Sequence, residues 1–164
     1  MSMVLPRKCG IICHPTSMPG RFGIGELGDS IRQFTDFLVA AGQTLWQVLP
    51  LGPTGYGDSP YQPFSAFAGN PLLISLDELI AEGLATEEDV RLEVPFPEDQ
   101  VLYGPVIEFK NRVLRRSYER FRAGASESLH TELAAFRQEH RSWLEDYALF
   151  MALKQHYHWA VWTE

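Results

Sequence analysis

The sequence predicts an α/β fold in which a parallel βαβ unit is followed by a mainly helical stretch. Three patterns carry that reading. Two short apolar, β-favouring runs at residues 10–14 and 44–49 flank one segment of helical periodicity. A loop dense in Gly, Pro and aromatic residues follows the second run, over residues 50–71. Beyond it, apolar residues recur at three- and four-residue steps.

Taken in order, Gly10-Ile-Ile-Cys-His14 has the length and apolarity of a buried strand. Asp29 and Ser30 open the helix. Ser30 with Gln33 has capping-box spacing, Ile31, Phe34, Leu38 and Ala41 form one apolar face, and Gly42 is placed to end it. Residues 44–49, with Trp46 and Val48, make the second strand. A right-handed crossover renders the two strands parallel, so the loops at 14–28 and 50–71 leave the same sheet edge, where parallel α/β folds place their ligand sites. Residues 72–76 form another short apolar run and a third strand candidate. Thr86-Glu-Glu-Asp89 offers a helix start, and residues 93–104, with Pro95 and Pro97, read as a connector. Val106, Phe109, Val113 and Phe121 then trace one helical face, Leu129, Leu133 and Phe136 a second, and Trp143, Tyr147, Phe150 and Met151 a third. The mixed charges from 108 to 122 read as a solvated face, and Trp46, Phe64, Phe67 and the late aromatics as core. The chain thus divides into residues 1–76, the βαβ part with its loop, and 77–164, a mainly helical segment.

Composition excludes several classes of function. With 45% hydrophobic, 12% aromatic and 21% charged residues the chain is neither disordered nor membrane-embedded. Its formal charge of −7 and lack of a basic stripe argue against a nucleic acid or an anionic membrane as partner and suit a neutral ligand. No apolar stretch approaches the roughly 18 residues that span a bilayer, and no secretory leader is recognisable, so a cytoplasmic location is expected. Cys9 and Cys13, about 13 Å apart on one strand, cannot pair, and free thiols suit a reducing compartment.

Gly23-Ile-Gly-Glu-Leu-Gly28 matches a dinucleotide fingerprint, but it does not follow its strand directly and no acidic residue lies between 37 and 57 to hold a ribose. Its glycines are read as turn formers. Cys9, Cys13, His14, His156 and His158 lack the spacing of a metal site, so neither metal nor organic cofactor is predicted. His14 is read as a strand-end histidine hydrogen-bonded within the fold. The 50–71 loop offers more. Prolines and glycines stiffen and bend it, holding Tyr56, Asp58, Ser59 and Tyr61 on a fixed frame. A sugar presents an apolar C–H face and a rim of hydroxyls, which aromatic rings beside Asp58, Ser59 and Gln62 would match; on the residues alone, packing that plugs the loop is slightly the better reading of the same rings.

This loop, Trp46-Gln-Val-Leu-Pro-Leu-Gly-Pro-Thr-Gly-Tyr-Gly-Asp-Ser-Pro-Tyr-Gln-Pro-Phe-Ser-Ala-Phe-Ala-Gly-Asn-Pro71, resembles the N-terminal signature of the amylomaltases, the 4-alpha-glucanotransferases of glycoside hydrolase family 77. Gly10-Ile-Ile-Cys-His-Pro-Thr-Ser-Met-Pro-Gly20, Phe22-Gly-Ile-Gly-Glu-Leu-Gly28 and Trp143-Leu-Glu-Asp-Tyr-Ala-Leu-Phe-Met-Ala-Leu-Lys154 extend the likeness in the same order. The resemblance implies the first strands of a (β/α)8 TIM-type barrel with an inserted helical subdomain, the barrel being incomplete because roughly 200 residues are the least that close one. It implies α-1,4-glucans and maltooligosaccharides as ligands, Ser59 and Tyr61 as donor-site contacts and Tyr56 as a further contact; Asp58, placed in the same substrate-binding set, is itself read as bracing the turn. It also implies a double displacement on an aspartate from a later barrel strand, so no catalytic residue is expected here, the remainder of the barrel is expected as a partner, and this chain alone is expected to be inactive. A stand-alone glucan-binding module and an α-amylase-type hydrolase are the rival readings.

Overall fold

The computed structural model describes residues 7–124 and 126–161, with backbone only at Tyr56. Strand β1 (Gly10–Ile12) and strand β2 (Leu45–Gln47) pair in parallel, Gly10 opposite Leu45 and Ile12 opposite Gln47. The ladder runs slightly past both ends, since Thr44 N–H donates to Cys9 O and Cys13 N–H to Gln47 O, each at 3.0 Å. Helix α1 (Asp29–Ala40) crosses between them, as the periodicity predicts. Gly42 ends it at φ +68°, where a side chain would be strained, while Gln43 N–H closes on Leu38 O at 2.9 Å. The expected Ser30–Gln33 capping box does not form. Gly28 occupies the N-cap instead, because Ser75 Oγ lies 2.7 Å from where a Cβ would stand, and this packing puts Ser30 inside the first turn.

The third strand candidate is no strand. Residues Pro71–Leu73 form a single 3-10 turn capped by Asn70, whose Oδ1 accepts from Leu72 N–H at 2.9 Å. Helix α2 (Leu76–Ala81) follows, capped by Ser75, whose Oγ accepts from Glu78 N–H at 3.3 Å. The helix expected at Thr86 stops as one turn. Its cap does form, with Asp89 Oδ2 accepting from Thr86 N–H and Oγ1 at 2.9 and 2.7 Å, but the chain leaves that turn for the proline-containing connector. Helix α3 (Tyr103–Gly124), helix α4 (Glu127–Glu139) and helix α5 (Leu144–His156) complete the order.

Burial corrects two expectations. The core gathers on α3, where Val106 and Val113 are fully buried and Phe109 nearly so, against Phe22, Leu76 and Val90. The strands are not buried: Ile12 is 63% and Leu45 50% exposed, although α1 sets Phe34 edge-on to Trp46 at 5.2 Å. Nor do Phe64 and Phe67 form core. They are exposed, and touch Phe150, Trp159 and Trp143 ring to ring at 5.9 to 6.1 Å, while α4 and α5 contain no buried residue.

Candidate functional site

The loop after β2 is closed at its neck and pinned across its width. Asn70 N–H donates to Leu51 O at 2.8 Å, joining the two ends. Above the neck, Gly52 and Gly55 allow close approach. A Cβ on Gly52 would stand 3.0 Å from Pro63, and one on Gly55 would collide with Gln62 O. Ser65 Oγ accepts from Phe67 and Ala68 N–H at 3.1 and 3.0 Å, fixing the return limb. The result is a compact Ω-shaped loop.

At its tip, Tyr56–Asp58 form a tight turn in which Gly57 and Asp58 both adopt positive φ, +65° and +54°. Aspartate tolerates that region better than most residues, which accounts for its place there. Asp58 braces the turn through its backbone, donating its N–H to Gly55 O at 3.2 Å; its carboxylate accepts no hydrogen bond among the described residues. Ser59 Oγ accepts from Tyr61 N–H at 3.3 Å and orients the next step of chain. Tyr61 is left 68% exposed, so its ring does not plug the loop. The structure thus brings Asp58, Ser59 and Tyr61 together on the segment leaving the C-terminal end of β2, while the Tyr56 side chain lies outside the described residues.

His14, at the C-terminal end of β1, departs from expectation. Its Nδ1 is buried with no hydrogen-bond partner among the described residues, and burial holds its pKa below the ordinary 6.5. Two clefts flank the loops. One, of about 620 Å³, runs along Leu27, Leu51, Asn70 and Ile74, and the other, of about 760 Å³, lies between residues 16–24 and 97–101. Neither is lined by Ser59 or Tyr61; Tyr61 stands exposed and Ser59 half-buried.

The sequence reading missed two buried ionic groups. Lys110, assigned to a solvated face, is completely buried on α3. Its Nζ donates to Glu26 Oε1 at 2.5 Å and to the carbonyls of Leu72 and Ile74 at 2.7 Å, while Glu26 Oε2 accepts from Leu76 N–H at 3.1 Å. Burial pushes the Glu26 carboxyl up and the Lys110 ammonium down, and their mutual contact opposes both shifts. Asp89 is the second. Its buried carboxylate meets Arg120 at 2.5 Å and Arg116 at 3.2 Å, and the Arg120 contact holds its pKa well below the carboxylate range. The visible signals were a lysine four residues after Val106 and three before Val113, on the apolar face, and an acid within the glycine-rich turn. Both carboxylates are held in ion pairs, Glu26 with Lys110 and Asp89 with Arg116 and Arg120.

Comparison with known proteins identifies the family. A family model described as 4-alpha-glucanotransferase matches residues 13–164. The 4-alpha-glucanotransferase of Thermus thermophilus is 54% identical over 153 residues, 93% of this chain and 30% of that protein. The corresponding protein of Synechocystis is 48% identical over 162 residues, 98% of this chain and 32% of its own. Among solved structures, the amylomaltase of Streptococcus agalactiae in complex with acarbose superposes with a TM-score of 0.85 at 40% identity, over 94% of this chain and 31% of the other. The chain therefore spans about a third of the length of these relatives, with an α/β fold, and it belongs to the 4-alpha-glucanotransferase family, glycoside hydrolase family 77.

Proposed function

We propose that this chain supplies the N-terminal third of a 4-alpha-glucanotransferase, an enzyme that moves a segment of α-1,4-glucan onto the 4-hydroxyl of an acceptor glucan or glucose. In this reading residues 1–76 contribute the first strands of a (β/α)8 barrel and its substrate-lining loop, and residues 77–164 an inserted helical segment. Ser59 and Tyr61 contact the donor glucan, Tyr56 and Asp58 flank them, and the catalytic carboxylates come from outside this segment. The single observation that carries the reading is the exposed Tyr61 on a loop closed at its neck by the Asn70–Leu51 hydrogen bond, at the C-terminal end of two parallel strands, the edge where such folds do their chemistry. Aromatic exposure beside a serine hydroxyl suits the C–H face and hydroxyl rim of a neutral glucan. A cytoplasmic location is part of the proposal and is supported by the two free cysteines; among the described residues no helix is long and apolar enough to cross a membrane.

The test is a chimera in which this chain replaces the matching 30% of the Thermus thermophilus relative. The chimera should convert maltotriose to glucose and longer maltooligosaccharides, and the 164-residue chain alone should not. In the chimera Tyr61→Ala should lower kcat/KM by roughly 5- to 150-fold with an unchanged circular dichroism spectrum, the loss of one aromatic platform. An inert chimera that is correctly folded would sink the functional assignment, and a fully active Tyr61→Ala variant would remove Tyr61 from the site.

A further inference from the structure

We infer that Lys110 is a positioning residue that holds the exit of the Tyr61 loop in register, acting as a cation tethered inside the protein. The inference rests on the reading of Tyr61 as a glucan contact. Its ammonium collects three oxygens from two separate segments: the Glu26 carboxylate at 2.5 Å from the loop after β1, and the Leu72 and Ile74 carbonyls at 2.7 Å from the chain leaving the Tyr61 loop. Three acceptors match the three donors of an ammonium, and no water is needed to complete the set.

From that point the linkage runs through backbone. Leu72 N–H is held by Asn70 Oδ1 at 2.9 Å, Asn70 N–H closes the loop neck on Leu51 O at 2.8 Å, and Leu27 N–H meets Leu73 O at 2.8 Å. Lys110 thus ties the loop carrying Tyr61 to the loop after β1 and anchors both on α3, the helix around which the core is built. A weak net contribution to stability would be unusual grounds for burying two charges. Desolvation disfavours both charged forms here, as the directions of their pKa shifts indicate, and what the pair provides is a defined geometry for the loop after β1, the exit of the Tyr61 loop, α2 and α3 at the one buried point where all four meet. Glu26 completes the device by accepting the Leu76 N–H at the first turn of α2.

Two measurements test this. In the first, hydrogen exchange is followed in the 164-residue chain carrying Lys110→Met. Exchange at the Asn70, Leu72 and Leu73 amides should rise by about tenfold or more, and by more than in Val113→Ala, whose loss of a core side chain lowers global stability without removing a contact to these segments. In the second, maltotetraose affinity is measured by calorimetry in the Thermus chimera as a double-mutant cycle. Lys110→Met should weaken binding about tenfold with Tyr61 present and less than about twofold in the Tyr61→Ala background, because only the first has a ring to misplace. A generally destabilised protein would lose affinity equally in both. Unchanged loop exchange, or equal losses in the two backgrounds, overturns the proposal. If Tyr61→Ala alone leaves affinity intact, the reading of Tyr61 fails and the exchange experiment still decides the role of Lys110. Should Lys110→Met not fold, Glu26→Gln serves in both experiments, with smaller changes expected in the same direction.

Discussion

Removing the buried ammonium and removing the whole ion pair should have different consequences, and the structure sets their order. Lys110→Met leaves the Glu26 carboxylate buried without its cation, a change that costs about 3 to 5 kcal/mol where such pairs are broken from one side. Adding Glu26→Leu removes that stranded charge, and apolar replacement of a buried pair commonly gains about 1 to 4 kcal/mol. Here the gain is opposed, because Lys110 and Glu26 also satisfy backbone groups. Leu72 O and Leu76 N–H lie in buried residues and would be left unpaired at about 1 to 3 kcal/mol each, whereas Ile74 is 42% exposed, so water can replace its partner. Subtracting the central values leaves the double variant roughly 1 to 2 kcal/mol below the wild type and well above Lys110→Met. Urea unfolding at neutral pH, with m-values compared to establish a common two-state transition, reads this order directly. A double variant as stable as the wild type would mean that the carbonyl contacts contribute nothing, and a Lys110→Met loss under about 1 kcal/mol would mean that the charge is not truly desolvated.

Two further outcomes follow from the remaining titratable groups. Asp89→Asn should destabilise by about 2 to 3 kcal/mol at pH 7, less than a fully enclosed pair because Arg116 and Arg120 are partly solvent-exposed. The Asp89 pKa is depressed in the fold, so its contribution is complete above its unfolded value of 3.8 and is lost as pH falls through the lower folded value; unfolding curves of wild type and variant that fail to converge in that acid range would contradict the assignment. His14 likewise has a depressed pKa, so the native state binds its proton less readily than the unfolded chain. Stability should therefore fall as pH drops below about 6.5, and His14→Gln should flatten that part of the profile; equal slopes in the two proteins would show that another group is responsible.

The βαβ unit was legible because each of its parts obeys a local rule: two β-favouring runs, a 3.6-residue apolar face, and Gly42 where a left-handed residue must end the helix. The face of α3 was legible for the same reason, through Val106, Phe109 and Val113. Residues 72–76 were misread because a short apolar run has no intrinsic preference between strand and helix. The deciding signals were polar and lay beside it, in Asn70 before Pro71 and in Ser75 three residues before Glu78. The exposure of Phe64 and Phe67 follows from their position on a loop whose own backbone contacts hold it away from the core, which hydrophobicity alone does not report. Lys110 lay hidden for a different reason. Periodicity assigns a charge to solvent unless its partner is known, and Glu26 stands 84 residues earlier.

This arrangement separates what holds the chain together from what it presents. The packed residues surround α3, while Ser59 and Tyr61 ride on a loop that issues from a barely covered two-stranded sheet. Such a loop cannot take its rigidity from the core beneath it, since that core lies elsewhere. It takes rigidity from three local devices: the Leu51–Asn70 closure, the close approaches at Gly52 and Gly55, and the Ser65 hydroxyl bridging two amides. The buried ammonium of Lys110 is where this local order joins the global one, because it alone among the described cations touches the chain leaving the loop from within the core helix. Substitutions at Val113 or Phe109 should therefore act mainly on stability and those at Tyr61 on the glucan contact proposed for it, whereas Lys110 is the position where one change acts on both.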